Sequence, residues 1–190
     1  MIVISGPSGV GKSTVNRHVL ARFDNLKESI SFTTRLPREG EVEGESYFFT
    51  DREDFKDRIE KGEFIEWAEV YGNLYGTSID YVKEKIGEGW NVALELDVQG
   101  GLALKEKIPD AVLIMILPPS LEQLESRLRG RKTDDETAVR KRLDNARREI
   151  DCSGRYDYVV VNKQIERCVE DICTIIKSES MRSERADLLK

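Results

Sequence analysis

The chain has 190 residues, the size of one domain of roughly 100–200 residues, and can bury a core without disulfide staples. Charged residues make up 35% and hydrophobic ones 39%, a soluble globular balance, with 30 basic against 36 acidic side chains and a net charge of −6. A nucleic-acid partner, which calls for a dominant positive field, is not expected, and the longest apolar run, 111–117, is far too short to span a bilayer, so no membrane partner is expected either. Met1 leads straight into Ile2-Val3-Ile4 with no basic segment or small-residue cleavage site. Three cysteines without metal-ligand spacing read as reduced thiols, and the expectation is a cytoplasmic protein.

Ile2-Val3-Ile4-Ser5, β-branched and bounded by Gly6-Pro7, predicts a buried strand. A helix follows over 13–23, with Val15, Val19, Leu20 and Phe23 as its apolar stripe. Between 33 and 75 the rhythm breaks: 47–49 reads as a strand, 52–61 as a helix and 64–70 as a strand, together an inserted and mostly antiparallel unit. Apolar runs at 91–96, 111–117 and 158–161 are each followed by a helical pattern, at 102–107, 120–128 and 165–176. Ser120 and Gln123 form a capping box. The alternation predicts an α/β fold, a parallel sheet with helices on both faces. The polar stretch 129–136 is a flap or a connector, 39–45 a solvated loop, and 178–190 a charged extension of the last helix. Trp67 and Trp90 are expected to anchor packing, Cys168 and Cys173 to fill core, and His18 to be structural.

Gly6-Pro7-Ser8-Gly9-Val10-Gly11-Lys12-Ser13 satisfies G-x-x-x-x-G-K-[ST] and lies between a predicted strand and a helix start, as the phosphate-loop mechanism requires. Its glycines let backbone N–H groups turn toward phosphate oxygens, and the helix N-terminus adds partial positive charge. Lys12 would reach the β- and γ-phosphates of ATP or GTP, and the Ser13 hydroxyl would ligate Mg²⁺. The strand over 91–96 carries Glu95 and is followed by Asp97, on the same side of a strand. Either carboxylate could hold the metal through its water shell, and spacing does not choose between them.

The phosphoryl acceptor is addressed by the insertion. Arg35 and Arg38 flank the rigid Pro37, and their forked guanidiniums suit a phosphate dianion. Glu66 stands among Phe64, Ile65 and Trp67, where a buried carboxylate would want a partner and an exposed one would simply face water.

Gly-Pro-Ser-Gly-x-Gly-Lys-Ser-Thr at 6–14, Thr-Thr-Arg-x-Pro-Arg at 33–38, Phe-Ile-Glu-Trp at 64–67, Gly-Asn-Leu-Tyr-Gly-Thr-Ser at 72–78, Asp-Val-Gln-Gly at 97–100 and Pro-Pro-Ser at 118–120 occur in this order. With these motifs, and Val160-Val161-Asn162 near the end, the chain resembles the guanylate kinases over its whole length. The resemblance implies a phosphate-loop NTPase-type core over 1–33 and 79–190, a GMP-binding subdomain over about 34–78 and a lid over about 129–137. It implies ATP as co-substrate, Mg²⁺, GMP and dGMP as acceptors, and a monomer or small homo-oligomer. ATP contacts are implied for Gly6, Pro7, Ser8, Gly9, Val10, Gly11, Lys12, Ser13, Thr14 and Asn162. The GMP phosphate falls to Arg35, Arg38, Tyr47 and Tyr75, and the base or its surroundings to Ser31, Glu66, Thr77 and Asp97. Arg131 and Arg142 are implied to join Lys12 and Arg38 around the transferring phosphoryl group, and Ser13 and Asp97 to meet the metal. A carboxylate accepts from guanine N1–H and the 2-amino group together, Thr77 can donate to O6, and adenine would leave Glu66 unpaired.

The remaining arginines of this stretch, Arg127, Arg129, Arg140, Arg147 and Arg148, are expected on solvated helix faces. After Arg131 many members carry glycine where this chain has Lys132. The rival readings are a kinase of the same fold for another phosphorylated small molecule and a non-catalytic protein-binding module. Glu66 and Thr77 speak against the first, and Lys12 with Ser13 against the second.

Overall fold

A computed structural model describes residues 1–70, 72–130 and 136–182. The strand–helix alternation resolves into β1 (Ile2–Ser5), α1 (Lys12–Leu20), β2 (Leu26–Glu28), β3 (Ser31–Thr33), β4 (Phe48–Phe49), α2 (Arg52–Glu60), β5 (Phe64–Val70), β6 (Asn73–Ser78) and α3 (Ile79–Gly87). The second half follows as β7 (Asn91–Glu95), α4 (Val98–Lys107), β8 (Val112–Leu117), α5 (Leu121–Arg129), α6 (Glu136–Asp151), a 3-10 turn (Cys152–Arg155), β9 (Tyr158–Val161) and α7 (Ile165–Ser180). Five strands form a parallel sheet in the order β2-β7-β1-β8-β9. The central strand β1 is buried along its whole length, which is why it reads as an unbroken apolar run.

Successive residues of β1 serve opposite faces. Ile2 and Ile4 join the core beneath α1 and α7 with Val15, Val19, Val160, Cys168 and Ile172. Val3 joins the core beneath α3 and α4 with Val82, Leu94, Val98, Leu104 and Met115. Cys168 and Cys173 are buried on α7 as free thiols, as expected of core-filling residues.

A second sheet of four strands runs β4-β3-β6-β5, with β6 antiparallel to both neighbours and β4 parallel to β3. It begins at Ser31, where β3 pairs with β6 rather than with the parallel sheet. Strands of two or three residues such as β2, β3 and β4 are too short to show a period. Helix α4 starts four residues before its expected start. Its cap is Asp97, and Gly100-Gly101 hides the apolar pattern in its first turn. Ser120 caps α5 by accepting the Gln123 N–H at 3.3 Å.

The second sheet has its own small core. Phe55 of α2 stacks on Phe64 at a centroid distance of 4.6 Å, and Leu74 closes the cluster. A carbon at the Gly76 β-position would lie 2.9 Å from the Phe55 ring, so this side is filled. Trp67, expected as a packing anchor, is instead 47% exposed, because the strand turns its neighbour Glu66 inward. The Phe55→Ala variant empties the centre of this cluster and is expected to lose about 3–5 kcal/mol of stability, measured by urea denaturation.

Candidate active site

The phosphate loop leaves the C-terminal end of β1 and closes on α1. A carbon at the Gly6 β-position would lie 2.3 Å from the Ile116 carbonyl oxygen, so only glycine passes there. Gly11, at φ 98°, is the N-cap of α1 and supplies no side-chain cap, unlike Asp51, Ser78, Asp97 and Ser120 at the helices they open. The first N–H groups of α1 therefore face the cleft as anion donors. Lys12 Nζ donates to the Gly6 carbonyl at 2.7 Å, which keeps the ammonium over the loop.

The loop is held from behind by residues that sequence reading placed elsewhere. Asn162, at the end of β9, is buried and donates from Nδ2 to the Val10 carbonyl at 2.8 Å. Arg127 of α5, expected on a solvated face, donates to the same Val10 carbonyl at 3.2 Å and to the Asn162 carbonyl at 2.9 Å. The solvated expectation holds for Arg129, which pairs with Glu125 and Glu136 at the surface. Asn162, expected among the ATP contacts, meets the loop at Val10. No spacing in the sequence marks Arg127, because its partners are carbonyls 35 and 117 residues away.

Opposite the loop, α6 presents Lys141, Asn145 and Glu149 to a cleft of about 760 Å³ that also touches Gly6, Lys12, Ser13 and Thr14. These three are four residues apart on one helical face. Burial raises the Glu149 pKa against the opposing pull of Lys12 and the Ser8 N–H. Arg142 lies half-buried on the same helix, while Arg131 and most of the expected lid over 129–137 fall outside the described residues.

Glu95 lines this cleft and the two cavities next to it, so the three form one channel between the sheets. Its Oε1 accepts from Ser13 Oγ at 2.8 Å. Of the two acids between which spacing leaves the choice open, it is Glu95 that meets Ser13 directly. Asp97 Oδ1 is engaged as the cap of α4, accepting the Gly100 N–H at 2.7 Å. A hydroxyl beside a carboxylate is a hard oxygen set that fits Mg²⁺. Among the described residues no group of three or more His, Cys, Asp or Glu is arranged around a metal.

Toward the second sheet, Arg35 Nη2 pairs with Glu41 Oε1 at 2.8 Å and its guanidinium stands 5.3 Å from the Tyr47 ring centre. Tyr47 and Tyr75 meet edge to face at 6.0 Å, and Arg38 lines the same cavity. Glu41, expected in a solvated loop, accepts the Arg38 N–H at 2.7 Å with its other oxygen and so ties the two arginine positions together. The Arg35 bond lowers the Glu41 pKa, which keeps this carboxylate ionised.

Glu66 is the buried acid of the site. The β5–β6 register shifts between Phe64 and Glu66, a bulge that leaves Ile65 and Glu66 both buried toward α4. Thr77 Oγ1 donates to Glu66 Oε1 at 2.6 Å, and Ser31, Tyr75 and Asp97 line the same pocket. With its single proton committed to Glu66, Thr77 as placed orients the carboxylate and could donate elsewhere only after rotating. Burial, with Asp97 nearby, pushes Glu66 up to about 7, although the Thr77 bond and Lys107 act the other way.

This array of phosphate loop, paired arginines and buried carboxylate sets the frame for comparison with known proteins. A sequence model of guanylate kinase matches residues 1–179. The chain belongs to the guanylate kinase family. It is 47% identical over 185 residues to the guanylate kinase of Halalkalibacterium halodurans, covering 97% of this chain and 91% of that protein. The Bacillus anthracis guanylate kinase is 48% identical over 186 residues, with the same two coverages. The crystal structure of guanylate kinase from Anaplasma phagocytophilum superposes with a TM-score of 0.80 at 37% identity, covering 97% of this chain and 88% of that one. A shikimate kinase from Bacteroides thetaiotaomicron, at 13% identity and a TM-score of 0.50 over 93% of this chain and 97% of that one, shares the fold alone. The family expected from the motifs is therefore the family found.

Two predictions rest on this geometry. Because the Glu66 pKa is raised from 4.5 to about 7, the protonated form favours the fold, and the unliganded protein loses stability as pH rises across that window. Glu66→Gln is expected to raise unliganded stability at pH 8 by up to about 3 kcal/mol in thermal or urea unfolding. Arg127→Ala removes a charged donor from two carbonyls and is expected to raise the KM for ATP about tenfold, as measured by steady-state kinetics.

Proposed function

We propose that the channel between the two sheets is where this guanylate kinase carries out its reaction, ATP + GMP → ADP + GDP, with the sites divided as follows. The observation that carries the assignment is the buried Glu66–Thr77 pair facing the same channel as the phosphate loop, with Glu95 lining both ends. A phosphate oxygen of GMP, already anionic, attacks the γ-phosphorus of ATP, the bond to the β–γ bridging oxygen breaks, and ADP leaves. No general base is required, so positioning and charge neutralisation dominate.

The N–H groups of the loop, Lys12 and the α1 N-terminus hold the ATP phosphates. Arg35 and Arg38, with the Tyr47 and Tyr75 hydroxyls, hold the GMP phosphate, and Arg142 and Arg131 complete the charge around the transferred group. Ser13 and Glu95 would hold Mg²⁺, which when bound neutralises charge on the β- and γ-phosphates. Glu66 accepts from guanine N1–H and the 2-amino group, and rotation of Thr77 makes its hydroxyl available to O6. Ser31 and Asp97 border the base. These contacts address base and phosphate rather than the ribose 2′-hydroxyl, so dGMP is accepted as well.

The test is ADP release with Mg-ATP in the presence of GMP, AMP, UMP or no acceptor. Release with GMP alone, lowered at least about 10²-fold in Lys12→Ala, is the expected outcome. Equal rates with AMP would overturn the base assignment. With Glu66 as the acceptor of two donors, the KM for GMP should climb as pH falls below about 7, because the protonated carboxyl accepts poorly. A flat profile from pH 8 to pH 5.5 would remove Glu66 from the base site.

A further inference from the structure

We propose that Gly100 determines acceptor specificity from outside the acceptor pocket: the space left by its missing side chain is the seat of the Glu66 carboxylate. The proposal rests on Glu66 facing the guanine.

Gly100 lies in the first turn of α4, where glycine weakens a helix relative to alanine and needs a reason to be there. A carbon at its β-position would stand 2.9 Å from Glu66 Oε2, 3.5 Å from Glu66 Cδ and 3.3 Å from Asp97 Oδ1. The first of these is closer than real β-carbons approach a neighbour, so something must shift.

Glu66 has little freedom to yield. Its Oε1 is held by Thr77 at 2.6 Å, and the carbonyl of Ile65, the residue before it, accepts from Lys107 Nζ at the other end of α4. The Gly100 N–H is itself held by Asp97 Oδ1 at 2.7 Å, so the helix turn cannot back away without losing its cap. One added methyl group would therefore displace Oε2, the oxygen that Thr77 does not hold. The neighbouring Gly101 faces the other way: a β-carbon there would meet Ser5 Oγ at 2.8 Å and Tyr156 Oη at 2.9 Å, which belong to the parallel-sheet core. Gly100 alone of the pair touches the base-reading carboxylate. It is a positioning residue, acting on the acceptor through Glu66.

Gly100→Ala is expected to raise the KM for GMP about tenfold or more, with kcat and the KM for ATP within about twofold of wild type. The KM for IMP, which lacks the 2-amino donor, should rise less, so the preference for GMP over IMP narrows. Glu66→Asp, one methylene shorter, supplies the decisive arm. It should weaken GMP on its own but improve the KM for GMP when added to Gly100→Ala, because the shorter side chain retreats from the new methyl.

An unchanged KM for GMP in Gly100→Ala, or equal harm from Glu66→Asp in both backgrounds, would overturn the proposal. Should Gly100→Ala fail to fold, the double variant decides: recovery of fold and GMP turnover supports the proposal, and failure of both overturns it. Glu66→Gln separates the two layers. If it leaves the KM for GMP unchanged, the base assignment falls and this inference with it. If it raises the KM while Gly100→Ala does not, the base assignment stands and only the role of Gly100 falls.

Discussion

Helix α4 is gripped between the two sheets, and the site depends on how closely it can approach both. On one side Gly101 lets the helix backbone come up against Ser5 and Tyr156, next to the strand that feeds the phosphate loop. On the other side Gly100 meets Glu66, and Lys107 ties the far end of α4 to the Ile65 carbonyl. Asp97 caps the helix and lines the channel at the same time. One short helix thus packs against both the parallel sheet and the second sheet. Two adjacent glycines are destabilising within a helix, and here that cost is offset by the packing they permit.

The acceptor half stores unfavourable free energy. A bulge in β5 turns a carboxylate inward, where the Thr77 hydroxyl donates to it, and burial raises its pKa to about 7. An ionised Glu66 is therefore poorly solvated until donors arrive, and a base that brings two relieves the cost. On the proposed base assignment, adenine, with neither the N1 proton nor the 2-amino group, would leave that cost in place. The same carboxylate limits the stability of the empty protein, a local exchange of stability for selectivity.

Around the phosphate loop, the donors proposed for phosphate are backbone N–H groups, and their geometry is only as good as the loop is rigid. Asn162, just past β9, and Arg127 of α5 converge on the single carbonyl of Val10, and Glu149 of α6 lines the same cleft as the loop. Helices α5 and α6 flank the segment expected to act as a lid, so Arg127 reaches the loop from an element that also borders that segment. Glu41 plays the corresponding part across the channel, holding the Arg35 side chain and the Arg38 backbone with its two oxygens. Each support carries charge or forked hydrogen-bonding geometry into a place where the ligand-contacting residue needs a fixed direction.

Much of this was legible from the chain alone, for local reasons. The phosphate loop is a run of eight residues whose spacing states its own mechanism, and the parallel core announces itself in apolar runs at β1, β7, β8 and β9. The motifs around Arg35, Glu66 and Thr77 placed the chain in its family, and Ser120 marked a helix start that the structure retains. What the sequence by itself determined is therefore the set of segments whose structure or chemistry is written in neighbouring residues. Tertiary structure decided the rest: that Glu95 rather than Asp97 meets Ser13, that Arg127 serves the loop instead of solvent, that Glu41 clamps two arginines, and that Trp67 faces out while Glu66 faces in. Apart from the Glu41 bonds, which close within one loop, each of these turns on a bond between residues distant in the chain or on a one-residue bulge that reverses a strand's faces. Such effects leave no periodic trace, because the free energy that selects them comes from partners brought near only by the fold.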